Sequence, residues 1–349
     1  MPQNINLFEM SKDRKIPLGG AFQRLIHTYD DIISLENLLH AWEEFLNGKR
    51  KRRDVQEFQL HLMDNLISLH LDLKNKTYTH SSYHAFNISD PKPRNIHKAS
   101  VRDRLLHHAI YRVLYPYFDK KFIHDSYSCR LNKGTHRAME RFKSFSRKVS
   151  KNNTKQCFIL KCDIKKFFAT IDHPTLLYII VKHIEDKNIV WLLEQIIKSF
   201  ETSPNKGLPL GNLTSQLLVN IYMNEFDQLV KHKLKVKYYI RYADDFAFFS
   251  QNKSELESFI RYIVHFLRTE LKLELHPDKV FIKTIYSGVD FLGWVHFSHY
   301  RVLRTVTKRR MMKNLSNNSS LETKASYLGM LKWGNTYKLR EIIDDIIWV

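Results

Sequence analysis

Residues 238–250 read YYIRYADDFAFFS, two β-prone arms rich in tyrosine and phenylalanine around Ala243-Asp244-Asp245. That pattern predicts a hairpin with the acids at its tip. Adjacent carboxylates add nothing to strand packing. They repel one another, and burying them unpaired is costly. A pair of divalent cations removes the cost, and in two-metal sites such ions lie about 3.5–4 Å apart. The hairpin therefore points to a metal site, provided that another acid arrives from a neighbouring strand.

CFILKCDIKKFF, residues 157–168, supplies one. It reads as a buried strand running out at Asp163. Beside the hairpin, Asp163 would share metal with Asp244 and Asp245, and the carbonyl of Ile164 would add a ligand. All-oxygen donors of this kind suit Mg²⁺, with two ions expected and Mn²⁺ as a substitute. Asp172 is read as a turn or cap residue.

Outward from these strands, residues 174–200 are helical. Gly207, Pro209 and Gly211 break the chain, and a long amphipathic helix follows to about Lys233. Residues 253–272 are helical again, VFIKT and GVDFLGWVHF are short strands, and the last 45 or so residues are basic and mostly helical. Upstream, Ser34 opens a helix with Leu35, Leu38, Leu39, Trp42, Phe45 and Leu46 on one face. The basic run 49–53 follows it, with phosphate contact and a solvated face as the two readings. Residues 54–72 form another helix, 77–100 are extended and broken by Pro91 and Pro93, 101–118 are helical, and 1–30 read as an arm. Composition and periodicity support a mixed α+β protein without repeats.

The chain has 349 residues, enough for one large unit or two modest domains, and 43% are hydrophobic. Its formal charge is +20, from 56 Lys+Arg against 36 Asp+Glu, which suggests a polyanionic partner. No apolar run approaches the roughly 20 residues needed to span a bilayer. The N-terminus lacks a secretory apolar region. Cys129, Cys157 and Cys162 match no zinc spacing, and the last two are read as small apolar residues of a buried strand. A cytoplasmic setting in a bacterium, or encoded by a phage, is expected.

From about residue 90 onward these motifs resemble the reverse transcriptases. CDIKKFFATIDH (162–173) is similar to their first catalytic motif and RYADDFAFF (241–249) to the second. The resemblance implies a right-hand polymerase fold and a two-metal, RNA-directed DNA polymerase. Its expected parts are an N-terminal arm (1–30), fingers (31–154), a palm (155–295, with a fingers-side segment around 174–210) and a thumb (296–349). Asp163, Asp244 and Asp245 would be catalytic. Phe168 matches the steric gate against a ribose 2′-OH, with an ordinary core aromatic as the alternative. GLPLGNLTSQLLVNIYMNEFD (207–227) matches the segment facing the incoming nucleotide, whose glycines let backbone approach substrate. Arg94, Phe167, Phe168, Gly211, Ser215 and Gln216 would bind the deoxynucleoside triphosphate. Lys279, in LHPDKV (275–280), would protonate the pyrophosphate, or else is a strand-edge lysine. GVDFLGW (288–294) resembles the primer grip, with Gly293 on the primer.

Template and duplex contacts follow from the same likeness: Arg102, Arg104, Arg130 and Lys133 in the fingers, and Arg304, Lys308, Arg309 and Arg310 in the thumb. Pairing of Arg102 and Arg104 with Asp103 or other acids is the alternative. Leu210-Gly211-Asn212-Leu213-Thr214-Ser215-Gln216 departs from the Gln-Gly-x-x-x-Ser-Pro usual in group II intron and retron enzymes. It is similar to the reverse transcriptases of diversity-generating retroelements, as is ASYLGMLKWGNTYKL (325–339). That subclass implies error-prone copying of template adenines, template RNA and a DNA or RNA primer as partners, and a small basic oligomeric accessory protein. A reverse transcriptase of another bacterial class and a non-enzymatic RNA-binding protein with a polymerase fold are the competing readings.

Overall fold

The computed structural model describes residues 25–89, 93–317 and 320–345. Most of the N-terminal arm, and Pro91, lie outside these. The arm reading is corrected at its end: Thr28 forms a reciprocal capping box with Asp31 and starts α1 (Tyr29–Ile33), in which Tyr29 is buried. Ser34 caps α2 (Leu35–Phe45), as its side-chain oxygen accepts from the Asn37 amide. The single helix expected over 54–72 is two, α3 (Arg53–Leu60) and α4 (Leu62–Lys74).

The extended stretch forms a hairpin, β1 (His84–Ile88) with β2 (Arg94–Lys98). Then come α5 (Val101–Asp119), α6 (Thr135–Val149), β3 (Phe158–Asp163) and the one-turn α7 (Phe167–Thr170). The helical region 174–200 splits into α8 (His173–Val181) and α9 (Lys187–Lys198), and Asp172 is the N-cap of α8. Next are α10 (Leu213–Gln228), β4 (Tyr239–Tyr242), β5 (Asp245–Ser250) and α11 (Lys253–Thr269). After β6 (Phe281–Thr284), the strands β7 (Val289–Phe291), β8 (Trp294–His296) and β9 (Arg301–Leu303) make a small meander. Three helices close the described chain: α12 (Thr305–Asn317), α13 (Leu321–Leu331) and α14 (Tyr337–Asp345).

The central sheet is antiparallel, in the order β4-β5-β3-β6. Side chains alternate across it. Leu160, Cys162, Phe246 and Phe248 join a core that includes Phe226, Leu256 and Ile263 of α10 and α11. Ile159, Ala247 and Phe249 join another, with Phe142 and Phe145 of α6 and Phe291 of β7. Both faces are therefore covered, which is why β3, apart from Lys161, and β5 read as mostly apolar runs. A third cluster gathers Met311, Leu315, Leu331 and Ile343 of the last helices around Met139, Trp294 and Leu303. No described helix is long and apolar enough to cross a membrane.

Candidate active site

The acids meet at one end of the sheet. Asp163, the last residue of β3, pairs in register with Asp245, the first of β5. Tyr242 pairs with Asp245 from β4, so Ala243 and Asp244 form a two-residue turn. Ala243 holds φ +55°, in the left-handed region. A non-glycine residue there is strained and persists only where its surroundings impose it. The Ile164 amide donates to the Asp244 carbonyl at 3.2 Å, tying the turn to the end of β3.

Two lysines share this end. Lys279 Nζ donates to Asp163 Oδ1 at 2.9 Å from a short 3₁₀ turn, Pro277–Lys279. Lys161 lies on the same face of β3 as Asp163, diagonal to Asp245, and its ammonium is ion-paired with the Asp245 carboxylate. Burial pushes the Asp245 carboxyl up to about 6, with Lys161 opposing the shift and Asp244 and Asp163 adding to it. Burial and then the charge of Asp163 raise Asp244. The cluster thus carries more negative charge than its surroundings neutralise, which favours a cation beside Asp163 and Asp244.

The three acids are not equally open to a cation. Among the described residues no group of three or more His, Cys, Asp or Glu side chains is arranged to hold a metal ion. Asp245 is closed onto Lys161. Asp163 and Asp244 still fit the hard oxygen chemistry of Mg²⁺, which is commonly held by one or two carboxylates and completed by water and substrate phosphates.

The residues expected at the nucleotide differ in burial and packing. Phe167 is buried in the core. Phe168 is half-buried, edge-on to Phe167, with its carbonyl accepting from Leu208. Gly211 is needed because β2 packs against it: φ is +108°, and a Cβ would stand 2.8 Å from the Ile96 side chain. The Asn212 side-chain amide donates to the His97 carbonyl, completing the seam between hairpin and helix. Ser215 is buried and Gln216 half-buried on the first turn of α10. Arg94 is exposed at the start of β2.

For Arg102 and Arg104 the structure matches the alternative of pairing with acids. Arg102 pairs with Asp72, not with Asp103. Arg104 binds Asp54 at 2.6 Å. Arg130 is almost fully buried, donating to Asp119 and to the carbonyls of Ile123 and Ser126. Lys133 donates to the His124 carbonyl. In the thumb, Arg304 pairs with Asp290, whereas Lys308 and Arg309 are exposed and Arg310 is half-buried. Gly293 and Leu292, both at positive φ, form a two-residue turn between β7 and β8.

Sequence reading missed Lys161, Arg241 and Asp227. Lys161 was detectable as the one charge inside CFILKC, two residues before Asp163. Arg241 and Asp227 are both completely buried and paired, and neither position alone signals its partner.

Such a fold, with carboxylates at the end of an antiparallel palm sheet, defines a right-hand nucleotide polymerase. The profile of the reverse transcriptase (RNA-dependent DNA polymerase) family matches residues 88–296, and the chain belongs to that family. Among its relatives, Protein YkfC of Escherichia coli is 24% identical over 290 residues, covering 70% of this chain and 76% of its own. The group II intron-encoded protein LtrA of Lactococcus lactis is 24% identical over 301 residues, covering 66% of this chain and 48% of its own. Telomerase from Candida tropicalis, solved with a fragment of telomeric RNA, aligns over 76% of this chain and 56% of its own, at 13% identity and a TM-score of 0.49. The chain thus spans about half the length of the last two.

Proposed function

We propose that this chain extends a DNA or RNA primer on an RNA template, using deoxynucleoside triphosphates and divalent ions held by Asp163 and Asp244. The observation that carries this is the register of β3 against the β4–β5 hairpin, which brings acids 81 positions apart in sequence to one sheet end (163 to 244). Bound there, divalent ions would activate the primer 3′ hydroxyl and stabilise charge at the phosphorus. Lys279, already on Asp163, is the candidate donor of a proton to the leaving pyrophosphate. Arg94 is the candidate triphosphate ligand and Phe168 the candidate gate. The domain reading assigns 31–154 to fingers, 155–295 to palm and 296–349 to thumb.

The test is primer extension on RNA with Mg²⁺. Asp244→Ala should lower incorporation by about a thousandfold or more while the protein stays folded. Near-normal extension by that variant would sink the reading.

Within the family we place the chain among the diversity-generating retroelement enzymes. The support is the segment Leu210–Gln216, which departs from the intron and retron pattern and joins α10 to the β1–β2 hairpin. A looser fit there would weaken discrimination between incoming bases. A small basic accessory protein would then help to hold the template RNA. The intron-type relatives favour a second reading, a reverse transcriptase of another bacterial class. Sequencing of the cDNA separates the two: substitutions concentrated opposite template adenines support the first, and accurate copying with the accessory protein present supports the second.

A further inference from the structure

Arg241 directly precedes the Tyr242-Ala243-Asp244-Asp245 stretch and is completely buried. Each of its five N–H groups has an acceptor. Nε donates to both Asp227 oxygens, at 2.8 and 3.0 Å. Nη2 donates to Asp227 Oδ2 at 2.6 Å and to Ser126 Oγ at 3.1 Å. Nη1 donates to Asn220 Oδ1 at 3.3 Å and to the Ala243 carbonyl at 3.1 Å. The Tyr239 hydroxyl completes the Asp227 carboxylate. Around the same residue, the Arg241 amide donates to the Asp125 carbonyl and the Tyr127 amide to the Arg241 carbonyl. Asn220 also donates to the Ser128 carbonyl.

A buried ion pair adds little net stability compared with apolar side chains of equal volume. What this one adds is geometry. A rigid guanidinium plane joins three elements: the turn carrying Asp244, helix α10, and the segment 125–128 that runs along the edge of β4. The Ala243 carbonyl it grips belongs to the residue at positive φ. Helix α10, which supplies Asp227 and Asn220, begins at the nucleotide-side segment with Ser215 and Gln216.

We propose that Arg241 is a positioning residue that sets the register of the carboxylate-bearing turn against helix α10, through Asp227 and the Ala243 carbonyl. The inference rests on the polymerase reading above, and it concerns the rate of the chemical step rather than substrate affinity.

The test compares full-length variants in single-nucleotide extension of a primed RNA with Mg²⁺. Arg241→Lys keeps the charge and removes the planar fork. A shift of the turn should lower kcat by about 30-fold or more and change the KM for deoxynucleotide by less than about threefold. Ala243→Gly relaxes the strained turn, so Arg241→Lys in that background should lower kcat by less than about threefold relative to Ala243→Gly alone. Additive effects overturn the proposal, as does a folded Arg241→Lys protein with unchanged kcat. If Arg241→Lys does not fold, Ser126→Ala decides, because it leaves the ion pair whole. It should cost about three- to tenfold in kcat with KM and Tm unchanged, and an unaffected kcat overturns the proposal. A wild-type protein that extends no primer overturns the polymerase reading itself, and this inference with it.

Discussion

The fingers and the thumb are both strongly basic in sequence, and the fold uses their charges in opposite ways. In the fingers, Arg102, Arg104, Arg112 and Arg130 reach Asp72, Asp54, Glu44 and Asp119, and Lys98 shares Asp54 with Arg104. These cations join helices α2 to α5 and the loop beyond them. On α12, Lys308, Arg309 and Lys313 are exposed, while Met311 and Leu315 on its other face enter the thumb core. The count of 56 Lys+Arg therefore overstates the cations free to meet a polyanion, because those of the fingers named above are already paired with acids.

The sharpest way to break this comparison is Arg130→Met. The substitution removes the guanidinium from the Asp119 carboxylate and from three backbone carbonyls, those of Asp119, Ile123 and Ser126, so unfolding in urea should show a stability deficit of about 3 kcal/mol. Affinity of the folded protein for an RNA–DNA hybrid should barely change. A stable variant with weakened hybrid binding would return Arg130 to the nucleic-acid interface. The thumb counterpart is the triple change Lys308→Gln, Arg309→Gln and Lys313→Gln. Binding should fall by tens of fold at moderate salt, about 2 kcal/mol, and the slope of log affinity against log salt should flatten by about one for each phosphate that is no longer neutralised. The Tm should hold; a large drop would mean that these cations support the fold as the fingers arginines do.

Smaller effects probe how the thumb is attached. Gly334 lies against Trp294, and a Cβ there would stand 2.0 Å from the indole ring. Gly334→Ala should therefore loosen the last helices from β8, at a cost of about 1–2 kcal/mol. Hydrogen exchange should rise in α13 and α14 and stay unchanged in α5; uniform protection in the variant would contradict the attachment. The smallest effect is acid sensitivity. Burial holds His107 in the fingers and His296 at the thumb junction down at about 3. Both are neutral when folded, whereas the unfolded chain protonates near about 6.5. The stability each contributes is complete above that value and is lost as pH falls from about 6.5 toward 3. Replacing either with asparagine should reduce the slope of stability against pH in this window by up to about 1.4 kcal/mol per unit. An unchanged slope for both would mean that neither ring is held neutral.

Much of the palm was legible because its signals are local. Two acids inside aromatic strand arms, and one at the end of an apolar run, stand out whatever surrounds them. Ser34 and Asp172 sit where caps are expected and serve as caps. Helix breaks at His61 and around 182–186 were missed, because short interruptions leave the apolar spacing nearly intact. The packing of Gly211 and Phe167 was not legible for another reason: the contact of Gly211 with Ile96 and the place of Phe167 in the central core depend on distant parts of the chain.

What the amino-acid order determined by itself was the kind of chemistry: oxygen-rich acids held in β structure, a family pattern around them, and a surplus of positive charge. What only the tertiary structure decided was pairing. Arg104 meets an acid 50 positions away and Lys279 one 116 positions away. A long side chain reaches whatever the fold brings within a few ångströms, so its role depends on register and helix packing, which no single stretch of sequence contains.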